Sequence, residues 1–280
     1  MNSDSSPVLP LELEREIFEG AAICCPQTIP SLLLVSHRVY EWIEKIKYRT
    51  VTPTGDHSTC SYDTLMRAIQ SDSKSPSFFR AHVHHLYIRP YDETDEVQEI
   101  LHVCTGIQSL ALIRSNIPSF LLPTLATLRP QRLWGYFSFL LDKKDFGQSM
   151  FIFVTHLTLW EISRQPDRDI PVWLSFLAMF PSLTHLKVPS LFKTTLVPHI
   201  LASSKMLEVL VKDSSLSGEE LYNVDDRYVT LELRGVIGQW VMGARGGNDF
   251  WARAEAFIAK KRRREIQPDW RYWIEDADGI

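Results

Sequence analysis

Cysteine is scarce. Four thiols stand in 280 residues, Cys24 and Cys25 adjacent and Cys60 and Cys104 alone, with no Cys-x-x-Cys pair. That spacing excludes a disulfide scaffold and points to a reducing compartment. Long apolar runs are missing too. The longest, at 29–35 and 151–154, fall far short of the ~20 residues that cross a bilayer. The opening MNSDSSPVLP lacks a positive n-region followed by an apolar stretch. We therefore expect an intracellular chain, cytoplasmic and/or nuclear, with no membrane partner. Charge of one sign is not in excess either: the net charge is −4, which gives no reason to expect nucleic acid as a partner.

Catalytic signatures are equally thin. The glycine-rich GARGG at 243–247 has neither the Gly-Lys-Ser/Thr ending of a P-loop nor GxGxxG spacing. No GxSxG and no HExxH occurs. His82, His84 and His85 cluster, but no Cys, Asp or Glu stands at ligand spacing beside them. We expect no catalytic residues, no metal and no cofactor, and a protein that is not an enzyme. The composition, 45% hydrophobic and 23% charged, is that of an ordinary folded protein.

Residues 1–52 read as a helical segment. Pro10 suits a helix start, where its missing N–H goes unneeded. Leu13, Ile17, Phe18 and Ala21 then form one apolar stripe. Pro26 and Pro30 interrupt the pattern. Val39, Trp42, Ile43 and Ile46 resume it at i, i+3, i+4 and i+7. Three helices in so short a stretch bury only a small core and gain from docking on something else. A polar break, TPTGDHSTCS, follows and marks a boundary at 52/53.

From residue 83 the chain repeats itself. Seven segments fit apolar-x-x-Leu-x-apolar, with central leucines at 86, 110, 133, 157, 186, 210 and 231. Apolar residues two apart share one face of a strand, and a recurrence of ~20–29 residues is that of a leucine-rich solenoid. Between the segments lie helix-like stretches such as TDEVQEILHVC and LVPHILASS. The expected fold is α/β: a three-helix segment at 1–52, then a β/α repeat domain at 53–247 with about seven parallel strands. Residues 248–280 form a C-terminal helix, capped by Asn248 or Asp249, that closes the open end of the stack, and a tail. KKRRR at 260–264 reads as a solvated helix end or an import signal.

If each central leucine faces the core, its neighbours face outward and form a recognition surface for a target protein. They are His85, Tyr87 and Arg89; Arg132, Trp134 and Tyr136; His156, Thr158 and Trp160; His185 and Lys187; and Glu232 and Arg234. Aromatics and arginines dominate binding hot spots. Trp134 and Trp160, one repeat apart, are expected to adjoin.

The N-terminal segment resembles an F-box-like domain. The resemblance is carried by Leu9-Pro10-Leu11-Glu12, Ile17-Phe18, Leu32-Leu33-Leu34-Val35-Ser36, and Val39 with Trp42. Joined to the repeats, it is similar to the fungal F-box-like proteins with degenerate leucine-rich repeats. The asparagine that usually closes each such repeat is replaced by other residues, so stacking must rest on apolar packing. What the resemblance implies is a substrate receptor of a cullin–RING ubiquitin ligase. Its F-box-like segment would bind a Skp-type adaptor, and its repeats an unidentified target. By position, Leu9, Pro10, Leu11, Ile17, Phe18, Leu34 and Val35 are the adaptor contacts. The alternative is a protein-binding repeat scaffold with no ligase coupling.

Overall fold

The computed structural model describes residues 9–53, 59–71, 73–89, 94–113, 118–136, 150–160, 170–214 and 225–280. Among them are eleven α-helices and one nine-stranded parallel sheet. Helix α1 (Leu11–Cys24) starts at Pro10, as its fixed φ favours. A 3-10 turn (Pro26–Thr28) and the short α2 (Ile29–Leu32) each carry one of the two prolines in the first turn. In α3 (His37–Arg49) the Ser36 hydroxyl accepts from the Val39 N–H at 3.3 Å and caps the first turn. The face read from the sequence is the buried one: Val39, Trp42 and Ile43 meet Ala22 and Ile29 in a small core, with Phe18, Leu32, Leu33 and Ile46 at its margin.

Helix α3 runs directly into β1 (Thr50–Thr52), which is already part of the sheet. The sheet order is β2-β1-β3-β4-β5-β6-β7-β8-β9. The remaining strands are β2 (Cys60–Ser61), β3 (His85–Ile88), β4 (Ser109–Leu112), β5 (Arg132–Gly135), β6 (His156–Leu159), β7 (His185–Val188), β8 (Val209–Asp213) and β9 (Tyr228–Leu231). From β3 onward each strand lies beside its successor. The register places Leu86, Leu110, Leu133, Leu157, Leu186 and Leu210 side by side. All six are buried, in one cluster with residues of α4 (Tyr62–Gln70), α5 (Pro76–His82), α6 (Thr94–Val103), α7 (Leu122–Thr127), α8 (Ile170–Leu177) and α9 (Val197–Ser203). Each such leucine contributes roughly 1.5–3 kcal/mol relative to an exposed one.

A second ladder runs through the backbone just before the strands. The carbonyl of His84 accepts from the N–H groups of Gln108 and Ser109. That of Gln108 accepts from Gln131 and Arg132, that of Gln131 from Thr155 and His156, that of Thr155 from Thr184 and His185, and that of Thr184 from Glu208 and Val209, all at 2.8–3.1 Å. One carbonyl serving two successive donors at each of the five steps from β3 to β8 joins these strands without any side chain. Stacking therefore does not rest on apolar packing alone.

Three expectations are corrected. Leu210 pairs with Tyr228, not Leu231, so Tyr228 completes the leucine ladder and Leu231 lies on the opposite face. The frame of the seventh segment is slipped by three residues, and an odd slip flips every side chain. Second, the sheet has nine strands rather than about seven, because β1 and β2 extend it beyond β3. Third, the C-terminal helix does not close the end of the stack. Helices α10 (Val236–Ala244) and α11 (Phe250–Arg262) pack across the sheet face opposite α4–α9, with Trp240, Val241, Phe250, Trp251, Ala254, Phe257 and Ile258 against strand residues. Asp249 caps α11, accepting from the Ala252 N–H at 3.0 Å. The tail after α11 covers the last edge instead. The Tyr272 carbonyl accepts from the Thr230 N–H at 2.7 Å, and the Ile274 N–H donates to the Thr230 carbonyl at 3.2 Å. An edge strand left bare would be a template for unwanted pairing.

Candidate functional site

Two surfaces hold the residues singled out from the sequence. The first is the outer side of the N-terminal helices. Their small core leaves many apolar side chains in solvent. Leu34 is 86% exposed, Ile17 58% and Val35 55%, with Leu9, Leu11, Leu13 and Ile23 also exposed. Of the seven expected adaptor contacts, Leu9, Pro10, Leu11, Ile17, Leu34 and Val35 face solvent. Phe18 instead packs against the helical core. Sequence reading missed Leu13 and Ile23. Leu13 and Ile17 stand four residues apart on α1 and so share a side, while Leu9 precedes the helix.

These helices are held in place by charge as well as packing. Arg38 on α3 reaches Glu14 on α1 at 2.6 Å. The buried carboxylate of Glu44 receives Lys74 at 2.7 Å and the Tyr40 hydroxyl, which joins α3 to the chain ahead of α5. The Tyr40–Glu44 hydrogen bond and burial raise the Tyr40 phenol above its ordinary value. An exposed apolar face mounted on a fixed frame loses little entropy when a partner covers it.

The second surface is the sheet face expected to recognise a target. The alternation is as expected: Tyr87, Trp134 and their neighbours point away from the leucine ladder. The face is not free, however. Trp134, only 4% exposed, meets Phe250 edge-on at 5.7 Å. Tyr87 meets Trp240 at 5.7 Å. His156 and His185 lie under Trp251, at 5.5 and 5.4 Å. Lys187, 3% exposed, pairs with Asp213 at 3.3 Å, and burial lowers its ammonium pKa from the ordinary value. Thr158 is buried. Arg132 is half-buried and reaches Asp249 at 3.5 Å. His85 is buried with neither ring nitrogen hydrogen-bonded, and desolvation pushes it down to about 3.

The rim differs. Arg89, Tyr136 and Trp160 are half-buried at the strand ends. Trp160 adjoins both Trp134 and Tyr136, each at 6.4 Å between ring centres, so the expected adjacency of the two tryptophans is met. Glu232 and Arg234 pair with each other at 2.9 Å beyond the end of β9, both exposed. The basic run is divided: Lys261 is buried against Asp226 at 3.2 Å, whereas Arg262 and Arg264 face solvent.

The described residues hold no helix long and apolar enough to cross a membrane. His82, His84 and His85 do not converge: His84 Nε2 turns to the Ala81 carbonyl at 2.9 Å, and His85 is sealed in the sheet. A different set does converge. His156, His185 and Glu255 bring three potential ligand atoms within 4.8 Å of one another. The sequence carried a signal for two of them, since Thr-His-Leu occurs in consecutive repeats at 155–157 and 184–186. No family model matches the chain, and no curated protein matches its sequence.

Proposed function

We propose that the chain is a non-enzymatic recognition subunit of a cullin–RING ubiquitin ligase. In this reading α1–α3 form an F-box-like segment that binds a Skp-type adaptor. The body is a short β/α solenoid of the leucine-rich-repeat kind that holds a target protein. The observation that carries the reading is the row of apolar side chains left in solvent on the N-terminal helices, six of them at positions where the F-box resemblance puts adaptor contacts. Large apolar side chains grouped on a rigid element support a protein-docking role. Because α10 and α11 fill the central sheet face, target recognition in this reading falls to the rim, with Arg89, Tyr136, Trp160, Glu232 and Arg234.

A second reading has one observation in its favour: α3 passes without a linker into β1, as expected of helices that merely cap a repeat scaffold. Capture of an adaptor separates the two. Leu9→Ala with Pro10→Ala should abolish pull-down of a Skp-type adaptor while circular dichroism stays unchanged. Pull-down equal to that of the unmodified chain would reject the ligase reading.

A further inference from the structure

We propose that His156, His185 and Glu255 form a divalent-metal site of the zinc type that clasps α11 to β6 and β7. The two imidazoles occupy matched positions in adjacent strands, and their rings stack at 4.1 Å with planes 8° apart. Glu255 reaches down from α11 to place Oε1 2.9 Å from His185 Nε2.

An outer layer of contacts holds Nδ1 of each ring. His156 Nδ1 lies 2.9 Å from the Thr155 hydroxyl and His185 Nδ1 lies 2.8 Å from the Thr184 hydroxyl. Each hydroxyl in turn donates to a backbone carbonyl 3.2 Å away, Gln131 for Thr155 and Thr155 for Thr184. With each hydroxyl turned to its carbonyl, the threonine oxygen accepts from Nδ1–H, and in that tautomer Nε2 is left for a metal. Orientation of the far nitrogen by an outer hydrogen bond is how metal-ligating histidines are usually held.

The three side chains bring one ligand atom each to within 4.8 Å of one another. His185 Nε2 and Glu255 Oε1 are hydrogen-bonded at 2.9 Å, a contact that a metal ion held by both would replace. A metal ion satisfies both imidazoles and the carboxylate at once. The surrounding charges favour one: Glu255 and Glu208 bear on His185, and Arg132 is partly neutralised by Asp249. Two nitrogens and one carboxylate oxygen suit zinc, which takes such ligands at about 2.0–2.2 Å and so about 3.3 Å from each other. Reaching that spacing requires the rings to tilt together and Glu255 to rotate. The Glu255 side chain is 53% exposed and free to do so, and it leaves a fourth coordination position toward solvent.

The test is titration of the full chain with Co²⁺, read by visible absorption, and with Zn²⁺, read by calorimetry, at pH 7.5. Cys24 and Cys25, both exposed, are first changed to serine to remove competing thiolates. One equivalent should bind, with the absorption of four-coordinate cobalt and its displacement by zinc. Glu255→Gln changes an exposed residue and should weaken binding at least ~10-fold. Thr155→Val with Thr184→Val keeps every ligand and should weaken it ~10–100-fold. His185→Ala should abolish it. No zinc binding at concentrations on the order of 100 μM would overturn the proposal, as would affinity changed less than about threefold in Glu255→Gln or in the paired threonine variant.

Discussion

His85 should make the protein acid-sensitive in a way that one substitution removes. Its ring is buried in β3 with no hydrogen-bond partner, edge-on to Trp240 at 6.5 Å. Desolvation first, then the positive charges of Arg49, His84 and Arg132, hold its pKa down to about 3. In the unfolded chain the same imidazole titrates near 6.5. The folded-state value is the lower one, so the unfolded state binds more protons between pH 6.5 and 3. The stability tied to the neutral ring is complete above pH 6.5 and is lost progressively as the pH falls toward 3. At pH 5 the unfolded state has gained about 1.5 pH units of protonation, or about 2 kcal/mol at 1.36 kcal/mol per unit. His85→Leu keeps the volume and removes the titration. Urea unfolding followed by tryptophan fluorescence at pH 7.5 and pH 5 measures the effect. Carboxylates titrate in both proteins, so the difference between them isolates His85. The unmodified chain should lose about 2 kcal/mol more than the variant over that interval. Equal losses would show that the ring is solvated or paired, and would refute the reasoning.

Leu157→Ala, at the centre of the ladder, should cost about 2–5 kcal/mol by denaturant unfolding, since the flanking strands cannot close on the cavity. Trp251→Ala should cost about 3–5 kcal/mol and raise hydrogen exchange in β6 and β7, because that ring covers both histidines. Gly106→Ala should destabilise by about 1–3 kcal/mol, since a Cβ there would lie 1.9 Å from the Arg80 carbonyl oxygen; a melting temperature equal to that of the parent would contradict this.

The ladder was legible because two periods coincide in it. Apolar residues two apart mark a strand face, and their return after about two dozen residues marks stacking. Six of the seven leucines obey both. Leu231 obeys the first within its own segment, but the register that puts Tyr228 beside Leu210 is set by pairing, which a single segment cannot reveal. Strands β1 and β2, of three and two residues, are too short to show alternation. The apolar stripe of α11 shows that Trp251 and Phe257 must be buried, but not against which face. The sheet face opposite the leucines was therefore identified as a face and misjudged as open. At the N-terminus the pattern located the helices, and the resemblance located six outward residues, but neither marked Leu13 and Ile23 as outward or Phe18 as packed on a core whose Ala22 and Val39 come from separate helices. The convergence of His156 and His185 with Glu255 joins residues 70 positions apart, beyond the reach of local spacing.

The central claim is that the apolar side chains on α1 and around the α2–α3 turn are a protein-docking face. Calorimetric titration of the purified full chain with a purified Skp-type adaptor tests it directly. Binding should be saturable and one-to-one, with a negative heat-capacity change from apolar burial. Affinity should be at least ~30-fold weaker for Leu34→Asp, as expected where one large anchor contributes ~2 kcal/mol or more. Absence of binding by the unmodified chain, or equal affinity in Leu34→Asp, would contradict the claim.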